Sequence, residues 1–241
     1  MENLDLIFNE KLIKKKLLAF DSRERISLKD DFFTSSAVLF SIMPYEEKPY
    51  DLVIIHRTDR GSPHRGEMSF PGGKFDPDID ISLKETALRE TKEEIGVSKD
   101  NIKILGCLDD FPTMTKYIIT PFIGIIDPNQ KLIKNEREVQ EILKIPIDFF
   151  VSKKNFREQA IDIEGKKFPI FYFNYKNKQN GKTYTIWGAT AYMISTFIEL
   201  IYDVNMSELG LQRFKLKKIK HLKDYIKYRN KIHRKFERNK I

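Results

Sequence analysis

Arg89-Glu90-Thr91-Lys92-Glu93-Glu94-Ile95-Gly96-Val97 begins sixteen residues beyond Gly73 of Phe70-Pro71-Gly72-Gly73. Glu90 precedes Glu93 by three positions and Glu94 by four, so on a helix the carboxylates share a face. Like charges at that spacing weaken a helix. A bound hard cation is a reason to keep them together, because Mg²⁺ takes carboxylate oxygens and leaves waters free for substrate phosphates. Glu90, Glu93 and Glu94 are therefore the expected metal ligands, with Mg²⁺ or Mn²⁺ as the cofactor. Gly96 supplies the stop, where a left-handed backbone is often needed. Ser82-Leu83-Lys84-Glu85 supplies the start as a capping box. Leu83, Ala87, Leu88, Thr91 and Ile95 offer the opposite, apolar face. Arg89 lies four residues from both Glu85 and Glu93 and is expected to pair with one or both, aiming the acids. The Gly72-Gly73 turn lets backbone approach the metal site where a side chain would clash.

These residues resemble the Nudix box, in which Gly and a spaced Glu precede Arg-Glu-x-x-Glu-Glu-x-Gly. Arg89, Glu90, Glu93, Glu94 and Gly96 match position by position. The front half departs: Gly73 lies two residues further from Arg89 than the general pattern, and Ile81 stands where a Glu is usual. That departure is similar to the coenzyme A diphosphatase branch, and Phe70 to Asp76, Asp80, Ser82 and Thr86 to Thr91 fit it. The resemblance covers about residues 35–200. Arg57 and the segment His64 to Phe70 look like the branch's upstream segment, although Ser62 stands where a second Arg is usual. Thr120-Pro121-Phe122-Ile123-Gly124, Asn135 to Ile142 and Trp187-Gly188-Ala189-Thr190-Ala191 resemble its downstream segments.

The resemblance implies an α/β fold: a Nudix-type α/β/α sandwich with a mixed β-sheet, here with N- and C-terminal helical extensions. It also implies a metal-dependent diphosphatase acting on a small nucleotide substrate. Coenzyme A or acyl-coenzyme A is the favoured substrate, giving 3′,5′-ADP and (acyl-)4′-phosphopantetheine. Other Nudix substrates are the alternative: ADP-ribose, NADH, a dinucleoside polyphosphate or capped RNA. Arg89, Glu93, Glu138 and Glu141 are the expected catalytic residues. Glu138, Glu141 and Glu67 compete for the role of general base. Arg57, Arg60, His64, Arg65, Gly72 and Gly73 are the expected substrate-binding residues, the arginines being suited to the 3′-phosphate.

The charge is segregated. Of 43 Lys/Arg and 35 Asp/Glu, residues 210–241 hold 13 and 2, so the net +8 belongs to that tail. An expected division follows: 1–30 an N-terminal helical extension, 31–208 the hydrolase domain, 209–241 a basic, helical tail. Such a tail suits RNA or an anionic membrane, and a nucleic-acid or membrane-surface binder on the same fold is the reading from another functional class. No apolar run is long enough to span a membrane, the first residues show no secretory signal, and Cys107 has no cysteine to pair with. A cytoplasmic enzyme is expected. Patterning predicts helices over Asn9–Phe20, Ser82–Ile95 and Ala189–Tyr202. It predicts strands over Ser35–Met43, Asp51–His56, Asn101–Leu108 and Tyr117–Ile126, and a hairpin of Phe171–Tyr175 with Thr183–Trp187 around Asn180-Gly181.

Overall fold

The computed structural model describes residues 4–58, 66–113, 115–163, 166–207 and 209, the side chains of 161–163 and 166–168 excepted. In chain order the elements are α1 (Glu10–Lys16), β1 (Thr34–Met43), β2 (Asp51–Arg57), β3 (Met68–Ser69), β4 (Gly72–Lys74), α2 (Leu83–Ile95), β5 (Ile102–Cys107), β6 (Phe111–Pro112) and β7 (Tyr117–Ile126). They continue with β8 (Val139–Pro146), α3 (Ile147–Val151), β9 (Phe156–Ile163), β10 (Lys166–Lys176), β11 (Thr183–Trp187) and α4 (Gly188–Tyr202).

β1 is the centre of a mixed sheet ordered β3-β2-β1-β7-β5, with β4 on β1, β6 on β7 and β8 on β2. It runs parallel to β7 from Thr34↔Tyr117 to Ile42↔Ile125 and antiparallel to β2 and β4. All of Ser36 to Met43 is buried, as a strand covered on both faces requires. Successive side chains go to opposite layers. Leu39, Met43, Val53 and Ile55 meet Ile95 and Val97 on the α2 side. Phe40, Ile42, Leu52 and Ile54 join Ile194, Phe197 and Ile198 of α4 on the other. The antiparallel sheet β11-β10-β9 closes that second layer through Phe171, Phe173, Tyr184 and Ile186. The architecture is the expected α/β/α sandwich.

Several local expectations change. The first helix stops at Lys16 rather than Phe20, with Asn9 as its cap. Leu17 is extended because the next residue pairs with the free edge of β5: Leu18 bridges Cys107, whose N–H donates to the Leu18 carbonyl at 3.0 Å. The N-terminal stretch is also no appendage. Ile13 and Leu17 belong to the main core. Arg25, 5% exposed, donates to Asp110 at 2.6 Å and to the Phe20 carbonyl at 2.9 Å, while Asp110 also accepts from Leu28 N–H and Thr120 Oγ1. The hairpin forms as expected, with Lys176 opposite Thr183 and Gly181 at φ +71°. β8 and β9 were not anticipated as strands. The basic tail, residues 210–241, lies outside the described residues.

Candidate active site

α2 is built as its capping signals dictate, with one difference. Ser82 Oγ accepts from Glu85 N–H at 3.2 Å, and Gly96 ends the helix at φ +74°, its N–H on the Lys92 carbonyl. The Glu85 carboxylate, however, lies 3.9 Å from Lys99. Arg89 likewise does not take Glu85. It donates to Glu90 at 2.8 Å, to Glu93 at 3.0 Å and through Nε and Nη2 to the two oxygens of Asp80 at 2.8 and 2.9 Å, with the Lys74 carbonyl at 3.2 Å. Asp80 in turn accepts from Thr86 Oγ1 and from Asp76 N–H. Its pKa is lowered to about 2, chiefly by the Arg89 hydrogen bond. Asp80, quoted in the sequence only as part of the resemblance, is the Arg89 partner that sequence reasoning missed. Its signal is an acid two residues before the N-cap of the helix that carries Arg89.

The three acids do not share one exposed face. Glu94 falls in register with the buried Ala87 and Thr91, and its side chain is fully buried, against 15% exposure for Glu90 and 50% for Glu93. A buried carboxylate must be hydrogen-bonded. Glu94 accepts from Arg57 Nη1 at 2.7 Å on one oxygen and from Gly72 N–H at 2.9 Å on the other. Burial nevertheless pushes its pKa up to about 7. Arg57, expected to read a substrate phosphate, is thus turned inward onto Glu94, and this clamp joins β2, the glycine loop and α2.

Glu90 is the electrostatic centre. Burial raises its pKa; Arg89 opposes that, and Glu93 and Glu138 raise it further. Glu90 also raises Glu94. Gly73 lies against it: all three atoms of the Glu90 carboxylate would be within 2.7 Å of a Cβ at Gly73. Among the described residues no three His, Cys, Asp or Glu side chains form a ready cage, since the arginines hold the carboxylates. The donor set still fits a hard cation: mutually repelling carboxylates beside a loop with no side chain in the way.

Glu138 and Glu141 part company. Glu138 precedes β8 and couples to Glu90. Glu141 pairs in register with His56, next to Arg57, so it points to the α4 layer. There it accepts from Tyr184 Oη and from Asn180 Nδ2 at 2.8 Å. Of the two expected catalytic residues, Glu138 is the one whose charge raises the Glu90 pKa, while Glu141 is held by Tyr184 and Asn180. Arg60, Ser62, His64 and Arg65 lie outside the described residues.

Comparison with known proteins fits this geometry. The NUDIX domain family matches residues 35–160. The peroxisomal coenzyme A diphosphatase NUDT7 of Mus musculus is 32% identical over 64% of this chain and 65% of its own length. Nudix hydrolase 15, mitochondrial, of Arabidopsis thaliana is 31% identical over 70% of this chain and 59% of its own length. The uncharacterized Nudix hydrolase NudL of Yersinia pestis is 33% identical over 66% and 75%. The aligned chain thus spans less than two thirds of the mouse and plant proteins. Their names place those two in the peroxisome and the mitochondrion rather than in the expected cytoplasm. Among the described residues no helix is long and apolar enough to cross a membrane.

Proposed function

This chain belongs to the NUDIX family, and we propose that it is a metal-dependent diphosphatase whose substrate is coenzyme A or acyl-coenzyme A. The observation that carries the reading is the coupling of Glu90 with Glu93, Glu94 and Glu138 beside the bare backbone of Gly73. Glu90 and Glu93 would hold the cation directly, with Glu94 behind them. A bound Mg²⁺ or Mn²⁺ supplies neutralisation of the diphosphate charge and a more acidic water.

The chain's own residues do the rest. Arg89, fixed by Asp80, positions Glu90 and Glu93 and limits their repulsion. The Arg57–Glu94–Gly72 clamp sets the distance between the glycine loop and α2. Glu138 is the proton acceptor in this reading, since its charge raises the Glu90 pKa while Glu141 is held by Tyr184 and Asn180. Coenzyme A is favoured over other diphosphates by the flanking resemblance and by the coenzyme A diphosphatase activity for which the mouse relative is named.

Hydrolysis of coenzyme A, acyl-coenzyme A, dephospho-coenzyme A, ADP-ribose and NADH, compared side by side with Mg²⁺, tests the proposal. Release of 3′,5′-ADP, with dephospho-coenzyme A cleaved on the order of ten-fold less well for want of a charge-assisted contact, supports it. Preference for ADP-ribose or NADH overturns the substrate, and failure on all five overturns the reaction.

A further inference from the structure

Glu138 sits in the turn before β8, and the two peptide groups that flank its Cα are hydrogen-bonded at both ends. The Arg137 carbonyl accepts from Thr58 Oγ1 at 3.0 Å, and the Glu138 carbonyl accepts from Thr58 N–H at 2.9 Å. The Glu138 and Val139 N–H groups both donate to the Asn135 carbonyl, at 3.0 and 2.8 Å. Thr58 and Asn135 between them thus hold all four polar groups. A residue has only two soft backbone angles, φ and ψ. Holding both flanking peptide planes fixes these angles, and with them the direction in which the Glu138 side chain leaves the backbone.

Both anchors are themselves tied to the acids of α2. Asn135 N–H donates to the Glu94 carbonyl at 3.0 Å, and Asn135 Oδ1 accepts from Arg137 N–H at 3.1 Å. Thr58 directly follows Arg57, whose guanidinium holds the Glu94 carboxylate at 2.7 Å and whose own N–H donates to the Glu67 carbonyl at 3.0 Å. The same two elements, α2 and the end of β2, therefore hold Glu94 and orient Glu138. A hydroxyl that bonds a nearby carbonyl at a strand end is often no more than a staple between two segments. Here it lands on the peptide group that adjoins the proposed base. Three of the four bonds use backbone donors, which survive any substitution except proline. The fourth depends on the side chain at position 58, and a valine there would keep the branched shape without the donor.

We propose that Thr58 is a positioning residue of the diphosphatase reaction, its hydroxyl fixing the Arg137–Glu138 peptide and thereby the direction of the Glu138 side chain. The inference rests on the reading of Glu138 as proton acceptor. A base must lie within hydrogen-bond reach of the water it deprotonates, so loosening this anchor acts on the chemical step rather than on substrate binding.

Kinetics of full-chain variants at saturating Mg²⁺ test this, on coenzyme A or on whichever of the five diphosphates the protein hydrolyses fastest. Glu138→Gln should lower kcat by about 10²- to 10⁴-fold, the usual worth of a general base. Thr58→Val should lower kcat on the order of 10- to 100-fold, with KM and the half-activating Mg²⁺ concentration little changed. Thr58→Ser, which restores the donor, should recover most of the lost rate. In the Glu138→Gln background Thr58→Val should cost less than about twofold more, because groups that act as a unit are not additive. Melting is measured alongside, and Thr58→Ala takes the place of Thr58→Val in the same cycle if valine unfolds the protein. Normal turnover by the Thr58 variant beside a slow Glu138→Gln overturns the inference alone. Normal turnover by Glu138→Gln overturns it together with the reading of Glu138 as the base, and failure on all five diphosphates overturns it together with the reaction. An equal loss in both backgrounds would make Thr58 a staple of the fold, and a raised Mg²⁺ requirement would make it act through the metal acids; either result overturns the inference.

Discussion

Gly73→Ala separates the stability of the fold from the geometry of the site. A Cβ at position 73 would lie within 2.7 Å of the Glu90 carboxyl carbon and both its oxygens, whereas ordinary contact begins at 3.4 Å. The obstacle is the end of a flexible side chain, so the fold escapes by turning Glu90 away. The required displacement is at least 0.7 Å for the farthest of the three atoms and on the order of 1 Å for the group. That movement breaks the 2.8 Å bond to Arg89. Global stability should fall by only about 1 kcal/mol. A misplacement of ~1 Å at a reacting centre costs about 10²-fold in rate, or ~2.7 kcal/mol of barrier. The expected variant melts close to wild type but hydrolyses its diphosphate about a hundred-fold more slowly at saturating Mg²⁺. Gly72→Ala is the contrast: its Cβ would meet the Ala37 carbonyl oxygen and lie 2.6 Å from Val38 Cα, backbone that has no room to move, so the fold itself should fail. A Gly73→Ala protein with normal melting and turnover within about threefold of wild type would place the reacting centre away from Glu90.

Glu93→Gln should lower kcat by about 10²-fold or more with little change in Tm, because that side chain is half exposed; unchanged turnover would remove it from the cation site. Glu94→Gln should lose activity, because an amide supplies no anionic ligand, but should cost little metal-free stability near neutral pH, since burial already disfavours the ionised carboxylate; chemical denaturation in a chelator checks this. Glu94 also makes metal-free stability depend on pH. Its folded pKa of about 7 lies above the ordinary 4.5, so the folded state holds the extra proton. The associated stability is full below about pH 4.5 and is lost by about pH 7, about 3 kcal/mol in all. Melting in a chelator across that range should show the loss, Mg²⁺ should offset it at the alkaline end, and a slope unchanged in Glu94→Gln would refute the assignment. Arg25→Ala should cost about 3–5 kcal/mol by leaving Asp110 buried and unpaired, with kcat per folded molecule unchanged; a melting temperature within 2 °C or so of wild type would show the N-terminal strap to be dispensable.

The elements that were legible carried their own local signals. α2 had a Ser cap and a Gly stop, the hairpin had Asn180-Gly181, and β1 and β7 read as continuous apolar runs. What was hidden depended on partners far along the chain. Nothing near Leu17 says that the helix must stop, because the cause is the unpaired edge of β5 some ninety residues later. β8 was obscured because Gln140-Glu141 followed by Ile142-Leu143 breaks the period of two, so Val139 to Pro146 carries no clean strand alternation.

The two candidate bases show why spacing in sequence does not decide a site. Glu138 and Glu141 are three apart, which on a helix would bring them to one face. In β8 the register against β2 shifts by one residue between His56 and Arg57, so simple alternation does not carry through the ladder. Glu141 is in register with His56 and shares the layer of Tyr184, while Val139 is opposite Arg57 and belongs to the layer of α2. Glu138 precedes the strand, where the Thr58 N–H donates to its carbonyl at 2.9 Å, and its charge raises the Glu90 pKa. The irregularity in the β2–β8 ladder thus puts Val139 and Glu141, two residues apart, on different layers, which period two alone would not do.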